Sequence, residues 1–471
     1  MSRIVTNVQS LIAQRVLGGQ NKALNESLTR LSTGLRINSG ADDPAGLIGS
    51  ESLRSEKVAI SAAIDNARRA DNVLSIAEGA LQEVNRLLLD LEDLVDRSAN
   101  EAGLSDAEVQ ANQVQIDAIL SSIDRISNTA SFNGSKLLGG GFEFTTSGIA
   151  GSAVSNAQIN SVKVPEGASR QVAIDVVTAS KFASISAVGG GAGGALSAVT
   201  TIEVGGSYGT ENFSFASGTT LASIATAINT STQLTGVSAV TSGGNLFFTS
   251  TDYGSDALVS VEVLSGSLSL SGNNSAGVDG TITINGSAAN VKGLEASVNT
   301  GSLSAKIALD ATFASTSGAS TSFDITGGGA RFAIAPEVSL VGIETIGLQS
   351  VSTGSLGDRV SGFLTTLQSG STNDLKSKNF ASAQRVVRAA QEQVSTLRGR
   401  IGGFQKNTLN TAINSLLVTL ENTAAAESAI RDTDFAEATS ALTRAQILVN
   451  SATSTLQLAN AQPQSVLALL Q

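Results

Sequence analysis

Apolar residues recur at helical spacing near both ends of this chain, over stretches longer than an ordinary globular helix, and no other feature narrows the available folds as much. Across residues 60–95 the steps between Ile60, Ala63, Ala67, Ala70, Leu74, Ala77, Leu81, Val84, Leu88, Leu91 and Val95 are of three and four. That spacing lays one stripe along one face of a helix, and a second helix has to cover it. A helix of that length runs about 54 Å at about 1.5 Å per residue, which suits a rod. The stripe begins with small residues, which let a partner approach closely, and its large part is Leu74, Leu81, Val84, Leu88, Leu91 and Val95.

A second stripe runs through Val109, Ile116, Ile119, Ile123, Ile126 and Ala130 after a break at 100–105 that contains Gly103. Ser105 with Glu108 fits a capping box there. Towards the other end Val387, Ala390, Val394, Leu397, Ile401 and Phe404 keep the same steps, and Leu409, Ile413, Leu416 and Leu420 resume them after a shift of one residue. In the last helix Phe435, Ala438, Leu442, Ala445, Val449, Ala452, Leu456 and Ala459 alternate large and small. Asp432 or Thr433 is the expected cap and Pro463 the expected stop. The first helix has a matching character, with Ile4, Val8 and Leu11 followed by Leu24, Leu28, Leu31 and Leu35.

The middle, about 139–354, is rich in Gly, Ser, Thr and Val, with alternating runs at 259–264 and 281–285 that read as short strands. A helical pattern at 221–229 between strand-like runs at 200–204 and 244–251 predicts a compact strand-and-helix unit. Helical ends flanking a β-rich middle must come together if their stripes are to be buried, so the fold class is α+β, with the middle inserted between paired helices. The stripes alone fit equally an α-helical bundle with no role in assembly.

Composition removes several functions. The formal net charge is −11 and no basic residue lies between Lys181 and Lys292, which argues against holding nucleic acid or an anionic membrane. Cys and His are absent. The chain therefore lacks thiolate and imidazole metal ligands, cysteine chemistry, the commonest general base and the two histidines of an HExxH metalloprotease. That absence suits a reducing cytoplasm and an exported protein alike. The N-terminal stretch has no secretory apolar run, and no segment approaches a membrane span. Asp42 with Asp43 and Asp432 with Asp434 read as caps and turns rather than acid–base pairs or calcium ligands. The Gly-rich runs at 189–194 and 327–329 lack the Gly-Lys-Ser or Gly-Lys-Thr of a phosphate loop.

The run at 34–56, GLRINSGADDPAGLIGSESLRSE, resembles the signature stretch of bacterial flagellins. So do NARRADNVLSIAEGALQEV at 66–84, DRISNTASFNGSKLL at 124–138 and RGRIGGFQKNTLNTAINSLLVTLEN at 398–422, in the family's order. The C-terminal stretch is similar to the last flagellin helix, with Gln457, Leu458, Ala459 and Asn460 at its QAN-like element. Within the middle, 200–263 resembles a small module often inserted in flagellar proteins.

The resemblance implies a subunit that polymerises head-to-tail into the flagellar filament; a hook–filament junction protein or an adhesin-like axial protein is the alternative. It implies three regions: 1–43 with 432–471 as a terminal coiled coil lining the filament, 44–180 with 351–431 as a helical rod carrying a β-hairpin region, and 181–350 as a variable β-rich outer region. The polymerisation seams would be Ile4, Val8, Leu11, Leu24, Leu28, Leu31, Leu35, Phe435, Leu442, Val449, Leu456 and Leu470. Partners implied are further copies of the chain, an export chaperone on 435–470, the type III export apparatus, and cap and junction proteins, with secretion into the extracellular filament and no cofactor. In flagellins that activate the innate immune receptor for flagellin, an Arg on the second helix occupies the position of Asp90, and a polar residue that of Leu89. The resemblance thus implies weak or no receptor activation here.

Overall fold

The computed structural model describes residues 6–100, 103–165, 167–189, 195–266, 268–358 and 361–468, with side chains as far as residue 462. Ile4, Leu470 and the Gly-rich run beyond Gly189 lie outside the described residues. The chain divides into one unit of residues 1–68, 334–337 and 410–471 and another of 69–333 and 338–409. Among the described residues its longer helices are α1 (Val8–Thr33), α2 (Pro44–Ser98), α3 (Asp106–Thr129), α4 (Leu221–Thr230), α5 (Phe380–Phe404), α6 (Asn410–Arg431) and α7 (Phe435–Ala468), besides short helical turns such as Thr232–Thr235, Ala311–Ala314 and Leu364–Leu367.

Local chemistry sets the helix ends. The Asn7 side chain accepts from Ser10 N at the start of α1, and Gly34, at φ 74°, closes it by donating to the Arg30 carbonyl. Asp43 accepts from Gly46 N at 2.8 Å, ahead of Pro44 at the first helical position of α2, where a missing N–H leaves nothing unpaired. Asp42 closes the preceding turn by accepting from the backbone of Asn38 and Ser39, and these bonds hold its carboxyl below the usual range. Ser105 and Glu108 form a reciprocal capping box on α3.

Two expected boundaries change. The cap of α7 is Asp434, whose carboxylate accepts from Ala436 N at 2.8 Å, because Asp432 is still held by the preceding helix through Ser428. Helix α7 continues through Pro463 to Ala468; a proline removes one backbone donor and bends a helix without necessarily ending it.

In the second unit, Leu74, Leu81, Val84, Leu88, Leu91 and Val95 of α2 are all fully buried, as are Ile116 and Ile123 of α3 and Val386, Val387, Ala390 and Val394 of α5. Polar pairs register α5 antiparallel to α2: Gln405 on Asp71, Arg398 on Glu78, Gln391 on Glu92 and the Leu88 carbonyl, and Arg388 on Glu92. On α3, Gln113, Asp117 and Asp124 bind the backbone of Leu367 and Leu375, Ser369, and Thr353 respectively, which ties the segment ahead of α5 to the helices. The one-residue shift in the C-terminal stripe falls where the chain makes a π-helical turn, Gln405–Leu409.

After α3, β1 (Ser131–Phe132) and β2 (Ser135–Lys136) form a hairpin around Asn133 and Gly134, both at positive φ as a two-residue primed turn requires. The chain then lays down β3 (Phe144–Ser147), β4 (Val154–Val162) and β5 (Arg170–Thr178). It next builds a module from β6 (Phe182–Gly189), β7 (Thr200–Gly206), β8 (Thr210–Phe215), β9 (Val237–Ser242), β10 (Asn245–Tyr253), β11 (Leu258–Ser265), β12 (Leu268–Leu270) and β13 (Asn274–Ala276). It returns as β14 (Thr281–Ile284), β15 (Ser287–Ala288), β16 (Asn290–Lys292), β17 (Glu295–Thr300), β18 (Leu303–Leu309) and β19 (Ser320–Gly328).

Sheets in the orders β15-β14-β5-β19-β3 and β16-β17-β18-β4 enclose one core around Ile159, Val172, Ile174, Ile282, Ile307 and Phe323. Sheets β12-β6-β10-β9 and β13-β11-β7-β8 enclose the module core with Ile224 and Ile228 of α4, beneath Ile185, Val204, Phe248 and Val261. Residues 144–178, grouped by sequence with the rod, thus share a core with the returning strands, and the module extends beyond 200–263 to β6, β12 and β13.

Gln391 chiefly, together with Arg388, holds the Glu92 carboxyl below the usual carboxylate range, against a smaller opposing effect of burial. A depressed pKa in the folded state contributes stability above the unfolded value, about 4.3, which disappears as pH falls through the folded one. Glu92→Gln is therefore expected to lower the urea midpoint at pH 7, and the difference from the parent chain should shrink as the pH is lowered and the Glu92 carboxyl protonates, measured by urea titrations followed by circular dichroism across an acid pH series.

Candidate assembly surface

Helices α1 and α7 lie antiparallel. Asn7 donates to the Ala459 carbonyl at 2.8 Å and Ser10 Oγ to Asn460 at 2.7 Å; at the other end Thr433 N donates to the Gly34 carbonyl and Arg36 N to that of Arg431. Their contact is an alanine seam. Ala438, Ala445, Ala452 and Ala459, each seven residues from the next, are 6–9% exposed, with Leu442, Val449 and Leu456 half-buried beside them. From α1 the seam receives Ser10 and Ala13, both buried, and Leu17, Leu24 and Leu31, half-buried, with Leu35 half-buried at the turn. Small residues at every heptad let the two backbones approach closely.

The other seam residues read from the sequence point elsewhere. Val8 (55% exposed), Leu11 (59%), Leu28 (46%) and Phe435 (58%) face away from the pair. Beside them stand Ile12, Val16, Ile447, Leu448 and Leu458, all exposed. Burying such a half-exposed aliphatic side chain is worth about 1 kcal/mol at about 25 cal/mol per Å². A single chain thus leaves a second apolar surface uncovered, of the kind that marks a protein contact.

The rest of the outer face of α7 suits the same purpose in a way that residue polarity hides. Only Glu437 and Arg444 are charged in its 34 residues. Thr439, Thr443, Thr453, Ser454 and Thr455 each donate to the carbonyl four residues back, at 2.8–3.1 Å. A hydroxyl already bonded inside its own helix loses little when water is excluded, so this Ser/Thr surface is cheap to cover. Sequence periodicity identified the seam and missed this face, although the scarcity of charge was a usable signal.

A comparable surface adjoins the start of α2. There Ile60, Ala63 and Ile64 pack on Leu416 and Leu420 of α6, flanked by ion pairs Lys57–Glu427 and Arg431–Glu51. Ile48 (74%), Val58 (64%), Leu417 and Val418 are exposed on the outside. On the later part of α2, Leu89 is exposed and Asp90 pairs with Arg86 at 2.7 Å, one helical turn away.

Among the described residues no group of three or more carboxylates could hold a metal ion, and no helix is long and apolar enough to cross a membrane. In a cleft of about 330 Å³ between the outer strands and α5, Glu143 accepts from Ser350 N, while Gln393 both accepts from Gly357 N and donates to its carbonyl, so these polar groups are engaged with backbone.

Three family models match the chain. Residues 4–143 match the bacterial flagellin N-terminal helical region, 385–470 the bacterial flagellin C-terminal helical region and 201–252 the flagellin hook IN motif. Flagellin D of Vibrio anguillarum is 29% identical across 99% of this chain and 98% of its own length. Flagellin B of Helicobacter pylori is 28% identical across 100% and 99%. Flagellin E of Vibrio cholerae is 44% identical over 137 residues, covering 29% of this chain and 36% of its own.

The chain contains no cysteine, so an introduced pair meets no other thiol of its own chain. Ser10→Cys with Asn460→Cys is expected to oxidise to a single disulfide in nearly all of the assembled protein, read as a faster-migrating monomer on non-reducing gels. A control pair at Leu11 and Leu458, which face outward, should not close within one chain.

Proposed function

The chain belongs to the bacterial flagellin family, whose members polymerise into the helical flagellar filament, and from that premise we propose how the work is divided along it. The protein is a structural subunit of the propeller that drives swimming. In our reading 1–43 with 432–471 line the filament core, the α2, α3, α5 and α6 helices form the surrounding rod, and the β-rich residues project outward.

The observation that carries this division is the second apolar face. One subunit satisfies the alanine seam by itself, so Val8, Leu11, Leu28, Phe435, Ile447 and Leu458 are left for neighbouring copies. A contact repeated head-to-tail with a rotation that does not close generates an open helix. The seam supports pairing within a subunit, and the outward residues support stacking between subunits.

The same face needs cover before assembly. We assign 435–470 to an export chaperone, and take passage through the type III export apparatus, secretion, and contact with cap and junction proteins to follow from family membership. A chain without disulfides threads freely through such a channel. The paired terminal helices bury little large apolar surface of their own, so we expect them to order on polymerisation.

For the immune receptor, the surface at Leu89 and Asp90 is apolar and internally ion-paired where activating flagellins present a basic group. Replacing a basic interface residue by an acidic one weakens binding by several kcal/mol at a hot spot. A receptor reporter assay should respond at least about tenfold less to this protein than to an activating flagellin, and Asp90→Arg should recover part of the response.

Assembly is tested by seeded polymerisation followed by electron microscopy. Leu11→Asp and Ile447→Asp should each prevent filament growth while leaving the urea midpoint of the monomer unchanged; normal filaments from both would refute the outward face as the contact. Far-UV circular dichroism should show helicity rising on polymerisation, and equal helicity before and after would refute ordering.

A further inference from the structure

Helices α5 and α6 turn buried residues inward on either side of Gln405–Leu409: Ala390, Val394, Leu397 and Ile401 before it, Leu409, Leu416 and Thr423 after it. Steps of three and four hold on both sides, but Phe404 to Leu409 is a step of five. In an unbroken α-helix the inward set after Phe404 would become Thr408, Ser415, Thr419 and Asn422, and Leu409 and Leu416 would rotate off the seam. A π-helical turn, bonded to the fifth residue, takes in one residue more and restores the phase. The stripe of α2 that these helices face has no such skip.

The turn is held from one side. Gln405 Nε2 reaches Asp71 Oδ1 at 2.9 Å, Ser75 Oγ at 3.1 Å and the Asp71 carbonyl at 3.4 Å, all on α2. Just before it stand Gly402 and Gly403, where an added Cβ would meet nothing within 4 Å. Glycine in a helix interior costs about 1 kcal/mol relative to alanine, so the helix is soft where the extra residue could otherwise migrate.

We propose that Gln405 is a positioning residue: it pins the extra residue in Gln405–Leu409 and thereby fixes which face α6 turns outward, keeping Leu417 and Val418 on the assembly surface and Leu416 inside. The consequence for filaments rests on the assembly reading above; the pinning itself does not. If the residue count is the reason for the pin, a chain with one residue fewer in the turn no longer needs it. Deleting Lys406 makes Phe404 to Leu409 a step of four, so an ordinary α-helix keeps both stripes in phase.

The test compares four full-length chains: the parent, Gln405→Ala, the Lys406 deletion, and the two together. Hydrogen exchange of the amides at 410–424 is measured on the monomers and seeded growth on the same preparations. Gln405→Ala should speed exchange about fivefold in the parent, the loss expected of one side-chain hydrogen bond, and slow filament growth. The deletion alone should exchange no faster than the parent, and in its background Gln405→Ala should change exchange less than about twofold. Equal effects in both backgrounds would make Gln405 an ordinary hydrogen bond and overturn the proposal, as would faster exchange on deletion or no effect of Gln405→Ala in the parent. Failure of the parent to form filaments would count against the assembly reading alone, since the exchange comparison still decides the pin.

Discussion

The terminal unit depends on two helices from opposite ends of the chain meeting along alanines. Ala438, Ala445, Ala452 and Ala459 offer little area to bury, and an isolated pair built on them gains little against the entropy of ordering so many residues. What they provide is closeness and a fixed rotation about the helix axis. Once α1 lies on that seam, Leu11 and Ile447 have no inward option. A weak inner seam and a rich outer face suit a subunit whose terminal helices are finished by their neighbours.

The second unit solves the opposite problem. Its α2 stripe is of large, fully buried residues, and its register with α5 is written in charged and amide pairs such as Arg398 with Glu78. Such pairs contribute modestly to stability when exposed, but they forbid sliding by one turn, since each would lose its partner together with the others. Apolar stripes in steps of three and four are tolerant of a seven-residue slip; the polar edge is not. The extra residue at Gln405–Leu409 lies at one end of this polar ladder.

Much of this is legible in the sequence. Periodicity located the long helices, the break before Ser105 and the helix of the module, and the jump from Phe404 to Leu409 marked the π turn as a shift of one residue. It did not separate the two stripes that share α1: the conspicuous Val8, Leu11 and Leu28 are the outward set, and the inward set is the inconspicuous Ser10, Ala13 and Leu17. Strand pairing in the middle was illegible because it is non-local. Nothing near Val162 announces that its partner is Leu303, or that Thr178 pairs with Thr281. The cap at Asp434 was missed for a local reason, since Asp432, Thr433 and Asp434 all fit the preference and only the preceding helix decides among them.

The two β regions are inserted one inside the other through narrow necks. Val351 N donates to the Leu138 carbonyl where the chain leaves and rejoins the helices, and Thr178 pairs with Thr281, next to the Lys181–Val278 bridge, where it leaves and rejoins the outer sheets. At each neck the outgoing and returning strands are neighbours, so whatever hangs beyond it closes no long loop in the part that remains. Evolution can therefore lengthen, trade or discard these regions with little penalty to the helices beneath, and a foreign domain whose own ends lie side by side could be grafted at 180 and 279 and carried in many copies along a fibre.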